Sequence, residues 1–338
     1  MKNLVIAQVG CGYWGPNLLR AFHEIPEVRV KWLCDLKPGR LQWAQERWRG
    51  LRTTASYPDL LRDPEVDAVV VATEVVTHAP LVEAALRAGK HVFVEKPLTD
   101  SSRSAAALAG LAVRRRLTLA VGHIFLHHPA VRRLKDELDS GRLGELCYMD
   151  LARVNPGPPA PKHNVVWDMA PHDAAIALHL AGRAPRAVRG TGRRYLNPDL
   201  DEAAFFEVDF PGPVVARVHV SWLSSRRIRR VEVYARRGAI FYDDVEPFEK
   251  VRIVAPGEDT RKKDRPGETK TLYYGTGDIR IPALPPDEPL RLECLDFVAA
   301  VRAGRQPLSG PEMGVAVVRV LEAACLSAAR GGREVRLS

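Results

Sequence analysis

Leu4-Val5-Ile6-Ala7-Gln8-Val9-Gly10-Cys11-Gly12-Tyr13-Trp14-Gly15 is the stretch whose reading decides the fold. A short apolar strand, expected over 3–9, runs straight into G-x-G-x-x-G, and a helical pattern follows over 15–24. A glycine triplet alone is a weak signal, because glycine-rich turns are common. Here the preceding strand, the following helix and a second strand over 28–34 form one strand-helix-strand unit. That second strand ends at Asp35, twenty residues beyond Gly15, where a carboxylate meets a ribose 2′-hydroxyl. Together the four conditions point to a dinucleotide. Gly10 would allow the tight turn, Gly12 the approach of backbone to pyrophosphate, and Gly15 close helix-strand packing. The helix N-terminus would face the phosphates. Asp35 would repel a 2′-phosphate and so favours NAD over NADP, with Lys37 and Arg40 near enough to soften that preference.

Moving outward, the alternation continues. Strands are expected at 67–72, 91–94 and 117–121, and helices near 38–49, 77–89 and 101–115, with Gly89 as a C-cap. Such alternation implies a doubly wound parallel sheet with helices on both faces. After residue 121 the texture changes. A helix near 129–140, a strand at 146–154, a Pro/Gly-rich loop from Asn155 to Pro161 and a helix from Asp168 to Leu180 come first. Longer strands follow at 186–194, 203–210, 213–222, 228–236 and 238–243, the mark of a large, mostly antiparallel sheet covered by helices on one face. The stretch 256–270 reads as an exposed loop, and two helices near 288–303 and 310–330 close the chain. The expected architecture is therefore α/β, with a dinucleotide-binding domain at 1–121 and an α+β domain at 122–338.

Composition narrows the function classes. At 338 residues two domains are the default, and no run approaches the roughly 18 apolar residues needed to span a bilayer. Five scattered cysteines, an odd count without metal-ligand spacing, fit a reduced cytoplasmic setting, and the N-terminus enters a strand with no signal-type region. The net charge of +9 is mainly arginine. Arg114-Arg115-Arg116 and Arg226-Arg227-Ile228-Arg229-Arg230 lack interleaved aromatics and any nucleic-acid-binding signature, so an anionic small substrate is the better reading than nucleic acid. The histidines have no cysteine or carboxylate cluster to complete a metal site, so none is expected.

Two polar groups carry the chemistry. Glu95-Lys96-Pro97 follows the apolar strand His91–Val94. Parallel sheets bind ligands outside the carboxyl ends of their strands, so a lysine there can contact a reacting oxygen or act as an acid or base. Alone, it reads better as an ordinary strand terminus with a surface lysine and a proline that stops the strand. Trp167-Asp168-Met169-Ala170-Pro171-His172-Asp173 is the second group. Asp168 and His172, four apart, share a helix face if the helix begins near Asp168, and Pro171 would then fall in the tolerant first turn. A carboxylate beside an imidazole is a recurrent acid-base device, although Asp168 could equally be an N-cap and His172 a core histidine.

The order Gly10–Gly15, Thr73…His78, Glu95-Lys96-Pro97, Gly122-His123 and Asp168…His172 resembles the glucose–fructose oxidoreductase / inositol dehydrogenase / MocA (Gfo/Idh/MocA) family over nearly the whole chain. Gly12–Asn17, Gly122–Phe125 and Trp167–Asp173 look most like its nucleotide-sugar dehydrogenases, which act on UDP-N-acetyl-aminosugar uronates. The resemblance implies a Rossmann domain, a C-terminal domain whose open sheet makes homo-dimer or homo-tetramer contacts, and NAD(P)-dependent oxidation of a pyranoside or cyclitol. It matches Lys96, Asp168 and His172 to a catalytic trio, with the Lys96-Pro97 peptide frequently cis. Cofactor contacts fall on Gly10, Gly12, Tyr13, Trp14, Gly15, Asp35, Thr73, His78 and Glu95. Substrate contacts are expected from Arg153, Asn155, Lys162 and His163 around the Pro-rich loop. Many members carry proline after the threonine of the Thr73 loop, whereas this chain has Glu74. The expected reaction is hydride transfer between a sugar carbinol carbon and nicotinamide. The rival readings are a dehydrogenase of a free sugar, inositol or deoxy-sugar, and a non-catalytic dinucleotide sensor.

Overall fold

A computed structural model describes residues 3–156, 163–255 and 278–337. In chain order the strands and helices are β1 (Leu4–Val9), α1 (Gly15–His23), β2 (Val28–Cys34), α2 (Pro38–Arg47), β3 (Arg52–Thr54), α3 (Tyr57–Arg62), β4 (Ala68–Val71), α4 (His78–Arg87), β5 (His91–Glu95), α5 (Ser102–Arg115) and β6 (Leu119–Gly122). Then come α6 (Pro129–Asp139), β7 (Leu146–Pro156), α7 (Val165–Ala181), β8 (Ala187–Arg193), β9 (Ala203–Asp209), β10 (Val215–Ser221), β11 (Leu223–Ala235), β12 (Gly238–Asp243), β13 (Val251–Val254), β14 (Ile279–Arg280), α8 (Pro289–Ala303), α9 (Pro311–Ala329) and β15 (Val335–Arg336). The chain divides into two compact units, Met1–His128 with Asp287–Arg319, and Pro129–Pro286 with Val320–Ser338.

In the first unit six strands lie in the order β3-β2-β1-β4-β5-β6, all parallel. This is the doubly wound Rossmann order, with its switch point between β1 and β4. Every residue of β1 and β4 is buried, as strands covered on both faces require. Helix α1 lays Leu18, Leu19 and Phe22 on the sheet. Phe22, Phe93 and Phe297 meet edge-on, with centroids 5.6 to 6.1 Å apart. Phe297 belongs to α8, which also contributes Leu290, Cys294 and Val298 to this core. The sequence pattern assigns 288–330 to the second domain. The structure instead puts α8 and the start of α9 in the first unit, because the apolar stripe 290, 294, 297, 298 covers the Rossmann sheet.

The second unit is a nine-stranded sheet in the order β14-β13-β12-β11-β7-β10-β9-β8-β15. All its pairings are antiparallel except β7 with β10. Helix α7, buried on nearly every side, packs on β7, β9 and β10. It begins at Val165, three residues before the expected start, because Asn164 is the N-cap and its side chain accepts from Trp167 N–H at 3.2 Å. Pro171 therefore lies in the helix interior rather than its first turn, and it removes the N–H that would meet the Trp167 carbonyl. Among the described residues no helix is long and apolar enough to cross a membrane. The expected loop at 256–270 lies outside the described residues.

Candidate active site

The glycine turn is built by contacts that only glycine permits. Gly10 has φ +94°, and a Cβ on it would stand 2.3 Å from the Ala72 carbonyl oxygen, where β4 ends. A Cβ on Gly15 would stand 2.6 Å from the Gly10 carbonyl oxygen. Gln8, a polar residue buried in β1, donates its amide to the Gly10 and Gly15 carbonyls, each at 2.9 Å, and so pins the turn from below. Gly12 differs. A Cβ there would meet only the Arg40 guanidinium, at 3.8 Å, so its bareness serves space outside the packing. The N-terminus of α1 has no side-chain cap and no acidic residue in its first turn, and Pro16 leaves one fewer donor unmet. Backbone N–H groups, an open flank at Gly12 and a nearby guanidinium fit a pyrophosphate.

Asp35 sits at the end of β2, buried, and accepts from Cys11 N–H and Lys37 N–H at 2.8 Å each and from Arg40 at 3.2 Å. Its carboxylate is thus held rigidly beside the turn, and Arg40 is already its ion partner. Tyr13 and Trp14 project from the turn, both exposed. The group that fits here is a dinucleotide with a free ribose diol.

Thr73 and His78 frame the turn after β4. The Thr73 and Thr77 hydroxyls meet at 2.7 Å, and Thr77 also bonds the Glu74 carbonyl. Glu74 has φ −74° and ψ 143°, a backbone that proline would adopt, so the departure at this position leaves the turn's shape intact. His78 is buried, with Nδ1 2.9 Å from the Pro97 carbonyl oxygen and Nε2 3.1 Å from that of Thr73. Burial holds its basicity down despite these carbonyls. With both nitrogens against backbone oxygens, His78 braces the turns that follow β4 and β5.

Lys96 follows β5, and the Lys96–Pro97 peptide is cis. Glu95 pairs with Gly122 in register, and its carboxylate fills the space that Gly122 leaves, 3.0 Å from where a Cβ would be. Burial raises the Glu95 carboxyl to about 7, against the opposing effects of the Lys96 charge, a hydrogen bond from Lys96 N–H and the nearby Trp14 side chain. His123 is 1% exposed, and burial together with Lys96 and His127 holds its imidazole down to about 3, so it is neutral.

In the second unit Asp168 stands one turn into α7 and accepts from the Trp222 indole at 3.0 Å. Asp168 is thus not the N-cap, and His172 follows one turn later on the same face. Arg153, an expected substrate contact, is buried with its guanidinium on Asp173 at 2.8 and 3.3 Å. It clamps β7 to α7. Burial raises Asp173 in spite of Arg153 and Arg229. Asn155 and His163 are half-buried at the two edges of the Pro-rich loop, and Lys162 lies outside the described residues. Gln8, Asp173 and Trp222 were missed by the sequence reading. A polar residue inside an apolar strand was the available signal for Gln8, and none marked the other two. Among the described residues no group of His, Cys, Asp and Glu could hold a metal ion.

Residues 4–123 match the model of the oxidoreductase family with an NAD-binding Rossmann fold (Gfo/Idh/MocA), and residues 131–241 match the model of that family's C-terminal domain. UDP-N-acetylglucosamine 3-dehydrogenase of Acidithiobacillus ferrooxidans is 34% identical over 69% of this chain and 71% of its own length. The scyllo-inositol 2-dehydrogenase (NAD(+)) of Bacillus subtilis is 30% identical over 69% and 73%. Among solved structures, GenD2 from gentamicin A biosynthesis, in complex with NAD, matches 100% of this chain and 97% of its own at a TM-score of 0.82 and 26% identity.

Proposed function

Because the chain belongs to the Gfo/Idh/MocA family of NAD-binding oxidoreductases, we propose that it oxidises or reduces one carbinol carbon of a sugar, and that the sugar is carried on a nucleotide, as in a UDP-N-acetyl-hexosaminuronate. The observation that carries this reading is the glycine turn packed against the end of β4, with Lys96 at the carboxyl end of β5, the neighbouring parallel strand. The second support is the Asp168/His172 helix face in the other unit. Asp35, held beside the glycine turn, favours NAD over NADP, a preference that its ion pair with Arg40 softens.

Bound NAD would supply the hydride acceptor. The chain's own residues do the rest. His172 takes the proton of the reacting hydroxyl, Asp168 orients the ring, and Lys96 hydrogen-bonds the same oxygen as negative charge develops on it. Trp222 fixes the direction of the Asp168 carboxylate. The proposal requires Lys96 and the Asp168/His172 pair to act on one substrate carbon. Asn155, Lys162 and His163 are the assigned substrate contacts. The outer face of the nine-stranded sheet, where Tyr148 stacks on Tyr234 at 4.4 Å and Phe205 on His219 at 4.3 Å, is assigned to a second copy of the chain.

The test is NADH formation from NAD with a panel of UDP-amino-sugars and their uronates, free hexoses, inositols and deoxy-sugar nucleotides. Turnover on a UDP-sugar at a kcat/KM at least tenfold above the free sugars supports the reading. Preference for inositol or a free sugar would replace the substrate while leaving the chemistry.

A further inference from the structure

Glu293 is 2% exposed, and neither of its carboxyl oxygens has a hydrogen-bond partner among the described residues. It lies on α8, one turn before Phe297, so the two share a helix face. Phe297 meets Phe93 of β5 with ring centroids 5.8 Å apart. Glu95 is two residues beyond Phe93, on the same face of the strand. One helical turn and one two-residue strand step are similar lengths, so this shared contact directs Glu293 toward Glu95.

The groups around the two carboxyls are few. Glu95 faces Lys96 from its own turn, the Trp14 side chain from the glycine loop, and Glu293 and the buried Cys294 from α8, while β6 presents Gly122. Glu293 faces Glu95 and, on its own helix, Asp296 and Cys294, a thiol that burial and these carboxylates hold protonated, and among the described residues no cation is set against Glu293. Burial first, and then these like charges, push Glu293 well above the carboxylate range, so it keeps its proton. Helix α8 therefore brings a neutral acid to Glu95 where a basic residue would have locked it as an anion. Glu95 is left able to respond to one new positive charge.

We infer that binding of the oxidised, positively charged nicotinamide is coupled to loss of one proton from Glu95, with Glu293 remaining protonated throughout. The carboxylic O–H of Glu95 breaks, its proton passes to the buffer, and the carboxylate left behind faces the pyridinium. Reduced nicotinamide carries no such charge and leaves the proton in place. The site thereby favours the oxidised cofactor as pH rises. This rests on the proposed function, in which Lys96 at the end of β5 meets the reacting carbon's oxygen, and on Glu95 as one of the cofactor contacts beside it.

The experiment titrates purified full-length protein with NAD+, NADH and ADP-ribose in weakly buffered indicator solution, with calorimetric affinities across pH. Proton release is expected with NAD+ alone. NAD+ affinity should rise about tenfold per pH unit below neutrality and level off above it. NADH and ADP-ribose affinities should stay flat. Glu95→Gln should still bind NADH and ADP-ribose but release no proton with NAD+, whereas Glu293→Gln, which keeps a neutral occupant, should still release it. NADH and ADP-ribose binding with no release by NAD+ would overturn the inference and leave the cofactor assignment standing. Release unchanged in Glu95→Gln, or lost in Glu293→Gln, would overturn the assignment of the proton. Failure to bind any of the three would overturn both the inference and the reading beneath it.

Discussion

Glu137 on α6 and Glu293 on α8 are both buried, at 1% and 2% exposure, and they meet opposite surroundings. Glu137 receives Arg133 at 2.6 Å, Arg280 at 2.8 Å and Arg142 at 2.9 Å. Burial pushes its carboxyl up, but the Arg142 hydrogen bond and the charges of Arg280, Arg133 and Arg142 outweigh that, and it stays below its ordinary value. Glu293 meets only carboxylates and rises. In the second unit the same pattern of compensation recurs, with Arg153 on Asp173. Around the end of β5 it does not, and Glu293 and His123 lie buried without hydrogen bonds. Compensated charge holds elements together. Neutral polar groups left unsatisfied near Lys96 are costly to the fold, and they leave Glu95 without the cations that would fix its charge state.

The first way to break this contrast is Arg153→Ala. It would strand Asp173 in the core and should cost about 3–5 kcal/mol. The urea midpoint measures this, and the double variant Arg153→Met/Asp173→Leu should recover most of the loss. A small loss in the single variant would mean the pair is not a brace. Next is Glu293→Leu, which should stabilise by about 1–3 kcal/mol by removing an unsatisfied buried acid. The sign with pH sharpens the point. The folded state keeps this proton while the unfolded chain loses it above the carboxylate range, so wild-type stability from this group is present below that range and falls as pH rises. The advantage of the variant should therefore widen by up to about 1.4 kcal/mol per pH unit above that range. A pH-independent difference would show that Glu293 ionises in the fold. Glu137→Gln should cost about 1–3 kcal/mol, because it leaves three arginines without their shared anion. The smallest effect is Trp222→Phe. It should cost about 1 kcal/mol and lower kcat less than tenfold, because it frees Asp168 to turn without removing it.

Much of the fold was legible because its signals are local. Apolar runs, glycines after strands and the change of texture near residue 121 each report on their own neighbourhood. The strand order follows from such signals together with the short, right-handed connections of parallel sheets. Helix α8 was misassigned because its stripe says that it is amphipathic but not which sheet it covers. For two of the expected contacts, His78 and Arg153, the partners within the protein were not legible. Their partners are the backbone carbonyls of Thr73 and Pro97 for the one and Asp173 for the other, and no spacing rule links them. The glycine turn, Asp35 and Lys96 were readable because each needs a residue type at a fixed distance from a strand end. Glu293 was not, because a glutamate on a helix reads as solvent-exposed until its packing is known.

The central claim is that Lys96 serves the chemical step and not the binding of cofactor. Its most direct test is single-turnover NADH formation by wild type and Lys96→Ala, each saturated with NAD and the best UDP-sugar of the panel, with NAD affinity measured alongside. The account predicts a fall of about 10²–10⁴-fold in the rate of NADH formation with NAD affinity held within about threefold. An unchanged rate in Lys96→Ala, or a loss explained wholly by weaker NAD binding, would contradict it.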